Sequence, residues 1–252
     1  MLGVRKTVTG LVYSERDVVL ADEGDLLVGF DYAGLDARVV AGLSGDPAYA
    51  ELVLSGDIHA EVAEIFFGDR ARRDDAKRIT HGLNYGAGPA AVAKIIGCDV
   101  DTAEHRMGGF LRRFPQLARW QAELRAAGER GLPLNTGTGR TVHAHAGREH
   151  TTAAARVAQG AATDLVTTGL LTLEDAGLLD RVRLCVHDEL ILSWPAAAAE
   201  AAGTELASHV SFDWASPSRL TIPIVAVAHG HTGLRWSDLY RQQRWGAWRT
   251  EG

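Results

Sequence analysis

The stretch Arg183-Leu-Cys-Val-His-Asp-Glu-Leu-Ile-Leu-Ser193 decides how the rest of this chain is read. Leu184, Val186, Leu190 and Leu192 are apolar and mostly strand-forming, spaced as two short strands of a half-buried hairpin. Between them stand His187, Asp188 and Glu189, three titratable groups where a turn ordinarily draws Gly, Asn or Pro. Adjacent acids repel, so a neutralising cation is expected, and a divalent metal held by carboxylates is the commonest such partner. The plainer reading is an acidic tip that faces water. The hairpin alone leaves both open, and a second carboxylate from elsewhere in the chain would decide for a metal.

Working outward, Asp25-Leu-Leu-Val-Gly-Phe-Asp31 is a short apolar run that ends on an acid, a buried strand by composition. Asp31 stands where that strand emerges. It is either a metal ligand or the N-cap of the helix predicted by the spacing of Leu35, Val39, Val40 and Leu43. Ser44-Gly45-Asp46-Pro47 stops that helix, and Asp57 is the predicted N-cap of another that runs through Phe67. In the next helical stretch, within Arg70 to Gly88, Arg73, Lys77, His81 and Tyr85 recur every fourth residue and share one stripe. Two cations, an imidazole and a phenol suit a ligand with several phosphates beside a planar ring. The alternative is a solvated face neutralised by Asp74 and Asp75. Gly82, Gly86 and Gly88 weaken the end of that helix by about 1 kcal/mol each relative to Ala, which suits an element that moves.

Further helices are expected from about Thr102 to Arg113, Leu117 to Glu129, Thr151 to Asp175 and Ala196 to His209. Leu134 to Val142 has the alternation and central glycines of a hairpin. Gln159-Gly160 interrupts its helix and marks either close approach by another group or tight helix packing. Leu220 to Ala228 alternates as one strand. The first twenty residues suggest a loop entering a strand, His229 to Tyr240 an irregular close, and Arg241 to Gly252 a mobile tail.

Composition bounds the class. The chain has 252 residues, 46% apolar and 23% charged, with net charge −6, as for an ordinary globular protein large enough for one or two domains. No apolar run approaches the ~20 residues of a membrane span, and the N-terminus lacks a signal core. Cys98 and Cys185, far apart in apolar surroundings, read as buried thiols in a reducing, cytoplasmic compartment rather than a disulfide or zinc site. Net acidity argues against coating nucleic acid, yet arginines outnumber acids between His105 and Arg148, a local surface that can hold phosphates.

Taken together, Asp31-Tyr-Ala-Gly-Leu-Asp-Ala-Arg38 with LSGD, then GDIHAEVAEIFFG, RRDDAKRITHGLNYG, QGAATD and VHDEL resemble family A DNA polymerases, the DNA polymerase I type. The resemblance covers roughly Glu15 to Trp236, and the order and spacing match motifs A, B and C. It implies an α+β fold: a right-hand palm built on an antiparallel sheet, with helical fingers. The corresponding boundaries are 1–45 for the first palm part with motif A, and 46–150 for fingers with the motif B helix near 71–86. The second palm part spans 151–240 with motif C near 182–194, and a tail 241–252.

Asp31 and Asp188 match the family's metal ligands, with Glu189 beside them in the catalytic set. This decides Asp31 against the N-cap. The implied cofactor is a pair of Mg²⁺ ions, with Mn²⁺ as a substitute, and the implied partners are primer–template DNA and dNTPs. Arg73 and Lys77 match cations that bind the triphosphate, with Lys77 the candidate proton donor to pyrophosphate. His81 matches the residue that packs on the nucleotide's sugar and base, and Tyr85 the one that stacks at the template position. Gln159 and His187 match contacts to the primer–template, and Arg140 is a candidate for the nucleic-acid backbone. Asp36 stands where the family has a Glu that excludes the 2′-hydroxyl, so weaker sugar discrimination is expected unless His81 compensates. Ala33-Gly34, Asp74 and Ala155 each replace a residue that would add a polar contact.

The chain offers nothing for the family's thumb or exonuclease-like domain. That leaves a split enzyme with a separate thumb-bearing subunit, a truncated gene, or a polymerase of low processivity. The rival readings are a catalytically idle nucleic-acid-binding remnant and a metal-dependent nuclease. Retention of Asp31, Asp188, Arg73 and Lys77 favours an enzyme.

Overall fold

The computed structural model describes residues 6–8, 11–13, 15–54 and 57–240. The first described strands, β1 (Lys6–Val8) and β2 (Leu11–Tyr13), pair antiparallel where the sequence suggests a loop entering a strand, and β3 (Asp25–Tyr32) follows. There follow α1 (Leu35–Ser44), α2 (Pro47–Leu54), α3 (Ile58–Phe67), α4 (Arg73–Asn84), α5 (Pro89–Ile96), α6 (Val100–Arg113) and α7 (Pro115–Glu129). A small hairpin, β4 (Leu134–Asn135) with β5 (Thr141–Val142), leads to the long α8 (Glu149–Asp175). The last elements are β6 (Val182–Val186), β7 (Glu189–Pro195), α9 (Ala199–His209), β8 (Phe212–Ala215), β9 (Thr221–Ile224) and β10 (Ala226–Ala228). A 3₁₀ turn at Trp236–Tyr240 follows, and the tail expected from residue 241 lies outside the described residues.

The chain divides into two compact units. The first draws on residues 1–33, 166–212 and 225–252 and is built on an antiparallel sheet in the order β10-β3-β7-β6. Alternation along β3 sends Val28, Phe30 and Tyr32 to one face and Leu27, Gly29 and Asp31 to the other. Both faces are covered, which is why β3 reads as a continuous apolar run rather than an alternating one. On the first face α9 lies so close that a side chain at Gly203 would touch Val28 and Ala228, and the Tyr32 hydroxyl donates to the Val210 carbonyl at 3.1 Å. On the second, Leu27 and Ile191 pack with Trp236 and Leu239.

The second unit, residues 34–165 and 213–224, is mainly helical. Its aromatic core sets the Tyr49 and Phe114 rings edge to face with centroids 5.3 Å apart. Buried Asp46 does more than end α1. Its carboxylate accepts from the Tyr49 amide at 3.1 Å and from the Gln116 and Leu117 amides at 2.9 and 3.3 Å, so one side chain satisfies the first turns of both α2 and α7.

Two expectations need correction. The single strand predicted over Leu220–Ala228 is two strands, β9 paired with β8 and β10 paired with β3; the chain changes sheets at Val225, whose carbonyl accepts from the Ala33 amide at 2.9 Å. The two cysteines are not buried: Cys185 is exposed on edge strand β6 and Cys98 is half-buried. Apolar neighbours in sequence do not bury a residue on an edge.

Candidate active site

The register of the sheet builds the site. Asp31 on β3 stands opposite Glu189 on β7, Val227 on β10 stands opposite Asp31, and Val186 on β6 opposite Glu189. Residues opposite one another in a sheet share a face, so Val227, Asp31, Glu189 and Val186 form one row. Between Val186 and Glu189 the hairpin turns on two residues, His187 and Asp188, and the Tyr32 amide donates to the Asp188 carbonyl at 3.0 Å. That bond ties the hairpin tip to the end of β3. His187 adopts φ 55°, a left-handed conformation that side chains other than those of Asn, Asp and His rarely take.

Asp31, His187, Asp188 and Glu189 line a cavity of about 530 Å³, together with His231 and Arg16. The three acids differ sharply. Asp31 is exposed and Asp188 half-exposed, whereas Glu189 is buried. The Glu189 carboxylate accepts from His229 Nε2 at 2.9 Å, from Trp236 Nε1 at 3.2 Å to each oxygen, and from the Tyr240 hydroxyl. Burial alone would raise its pKa, but the donors His229, Tyr240 and Trp236 outweigh burial and hold it below the ordinary carboxylate value. In return, burial and the Glu189 carboxylate push the Tyr240 phenol up. The charge expected to neutralise the paired acids is thus met, at Glu189, by hydrogen-bond donors. Among the described residues no cluster of three or more His, Cys, Asp and Glu side chains is placed to hold a metal alone.

In the other unit, α4 carries the basic stripe. Its opposite face buries Ala76, Ile79, Thr80, Leu83 and Asn84. Arg73 Nε pairs with Asp57 at 2.5 Å, and Asp57 also caps α3 by accepting from the amides of His59 and Ala60. Burial pushes the Asp57 carboxyl up, yet Arg73 and those amides outweigh it and hold its pKa down. Lys77 is exposed. Asp75 turns to Arg72 and Arg78, at 2.6 Å from each, rather than to the stripe. The idea of a stripe neutralised from within its own helix therefore loses one of its two acids. His81 Nδ1 stands 3.3 Å from Asp36 Oδ2, and its ring meets Tyr85 edge-on at 4.4 Å between centroids. Gly34, not Asp31, is the N-cap of α1.

Of the DNA-contact candidates in this unit, Gln159 is exposed on α8, while Arg140 is engaged by Asp164, which also accepts from the Thr138 hydroxyl at 2.5 Å. The close approach marked by Gly160 is Thr136, whose Cγ2 would lie 2.8 Å from a Cβ there, so packing explains that glycine. Sequence reading missed His229, Trp236, Tyr240 and Arg16. The signal was Gly29: a lone glycine inside a buried strand marks close approach, and a Cβ at this position would collide with the His229 ring.

The sequence model of DNA polymerase family A matches residues 5–238. The DNA polymerase of Mycobacterium phage D29 is 28% identical over 235 residues, 90% of this chain and 37% of the phage protein. The thermostable DNA polymerase I of Thermus aquaticus is 32% identical over 209 residues, 74% of this chain and 24% of that one. The POL domain of Pol1 from M. smegmatis, solved in complex with DNA primer-template and dNTP, superposes with a TM-score of 0.69 at 22% identity, covering 89% of this chain and 42% of that one. The chain thus spans less than half the length of each of these proteins.

Proposed function

Because the chain belongs to DNA polymerase family A, we propose that it is the palm and fingers of a template-directed DNA polymerase. It would join the α-phosphate of a dNTP to a primer 3′-hydroxyl and expel pyrophosphate. One observation supports this reading: Asp31 and Asp188, far apart in the sequence, stand at the end of β3 and at the hairpin tip tied to it, and line one cavity.

The donor set fits Mg²⁺, which is commonly held by one or two carboxylates while water and substrate phosphates complete its shell. Asp31 and Asp188 would hold it, with Mn²⁺ accepted by the same hard oxygens. Bound there, the metal supplies charge stabilisation to the attacking and leaving oxygens. The chain's own task is then positioning and charge. Arg73, steadied by Asp57, and exposed Lys77 bind the triphosphate, and Lys77 Nζ gives a proton to the departing pyrophosphate. His81 packs on the sugar and base, Asp36 faces the 2′ position with a side chain one methylene shorter than Glu, and Tyr85 stacks at the template position. His187 and Gln159 touch the primer–template, and Arg140 joins them by exchanging Asp164 for a phosphate.

Extension of a primed template by the purified chain, alone and with a separately supplied thumb-bearing fragment, tests the reading. Mg²⁺-dependent extension that falls by about 10³-fold or more in Asp188→Ala is expected. A chain that binds primer–template but never extends it in either setting is the idle remnant instead.

A further inference from the structure

The segment from His229 to Tyr240, irregular by sequence, is laced to the sheet. The His229 amide donates to the Gly29 carbonyl at 2.7 Å, Leu27 and Gly233 exchange amide bonds at 2.7 and 3.3 Å, and the Trp236 amide donates to Val19 at 3.1 Å. Two glycines make this approach possible. A Cβ at Gly29 would strike the His229 ring and lie 2.8 Å from Leu239, and one at Gly233 would strike Asp238, whose carboxylate accepts from the Arg235 amide at 3.0 Å. From outside, the Arg16 guanidinium lies over the Trp236 and Tyr240 rings, 4.8 and 4.1 Å from their centroids. Three side-chain donors of the segment, on His229, Trp236 and Tyr240, converge on Glu189.

We propose that this segment is a clamp on the hairpin tip, which makes Glu189, His229, Trp236 and Tyr240 positioning residues for Asp188 rather than metal ligands or proton carriers. The proposal rests on the polymerase reading for what Asp188 does. Glu189 lines the same cavity as Asp31 and Asp188, yet it is buried, and its Oε1 already accepts from His229, Trp236 and Tyr240 and its Oε2 from Trp236. A cation drawn to this carboxylate would compete with those donors, whereas Asp31 is exposed and Asp188 half-exposed. Glu189 is also the first residue of β7 and the direct neighbour of Asp188. Fixing its side chain therefore fixes the backbone from which the ligand projects, as outer-shell partners do in metal sites.

Three readouts test the clamp in the full chain. Mn²⁺ affinity, followed by electron paramagnetic resonance of the free ion, should fall about tenfold or more in Asp188→Asn, which removes a ligand, and by clearly less in Glu189→Gln, which loosens only its support. In primer extension, Tyr240→Phe and His229→Phe should lower kcat about tenfold with the KM for dNTP within about twofold, and Glu189→Gln combined with Tyr240→Phe should cost no more than the worse single change. The indole N–H resonance of Trp236, assigned with Trp236→Phe, should move upfield in Glu189→Ala as its carboxylate acceptor is lost. The clamp is overturned if Glu189→Gln weakens Mn²⁺ binding as much as Asp188→Asn. It is equally overturned by an indole resonance that does not move, or by Tyr240→Phe and His229→Phe that both keep full kcat. A wild-type chain that binds Mn²⁺ yet never extends a primer counts against the polymerase reading alone, because the Mn²⁺ and indole readouts still decide the clamp.

Discussion

His187 bends the chain at φ 55°, where a side chain strains the backbone by roughly 1 kcal/mol or more. Contact with nucleic acid is the role we propose for a histidine at this turn. His187→Gly should therefore raise stability by about 1 kcal/mol in urea denaturation while lowering extension; a variant that is both no more stable and fully active would show that the histidine has no such role. Asp36 and His81 make a second residue-scale case. The Asp36 carboxylate is met by the His81 imidazole at 3.3 Å. Restoring the missing methylene in Asp36→Glu should reduce ribonucleotide relative to deoxynucleotide incorporation by about tenfold. An unchanged ratio would mean that His81 already compensates in full. At this scale residue type is legible in the sequence, so the acids and cations could be named as candidates. Residue type alone did not separate the exposure of Asp188 from that of Glu189, because it depends on donors forty residues and more downstream.

At the scale of elements, the hairpin tip depends on one buried carboxylate. Glu189 has a folded pKa held below its usual 4.5, so its contribution to stability is in place above that value. As pH falls through the lower folded value, that contribution is lost. Urea midpoints taken from about pH 6 down to about pH 3 should fall more steeply for wild type than for Glu189→Gln, and parallel curves would contradict the sign. Periodicity found most elements, because helices α3, α4, α6 and α7 each carry an apolar face at helical spacing. It failed at Leu220–Ala228, where alternation continues unbroken through Ile222, Ile224 and Ala226 although the strands belong to different sheets. It was silent at His229–Tyr240, where side chains converging on a distant acid leave no period to detect.

For the whole molecule, the α+β class and the order of the elements were legible because motif order along the chain carries topology, and the antiparallel sheet follows from it. The family match over residues 5–238 rests on the same ordered motifs. What the linear order could not disclose is how tightly each unit is locked, since Asp46 serving two helices and Gly29 admitting the His229 ring are facts of three dimensions. Nor could it give the register that sets Asp31 opposite Glu189 and beside the Asp188 turn. That juxtaposition is the claim on which the function stands. Its most direct measurement is a double-mutant cycle in Mg²⁺-dependent primer extension with Asp31→Asn, Asp188→Asn and the pair together. Each single change should cost about 10³-fold or more, and the pair little beyond the worse single, because both acids serve one metal-binding unit. Either single variant retaining a tenth or more of wild-type activity, on the order of 1 kcal/mol of barrier, would contradict it.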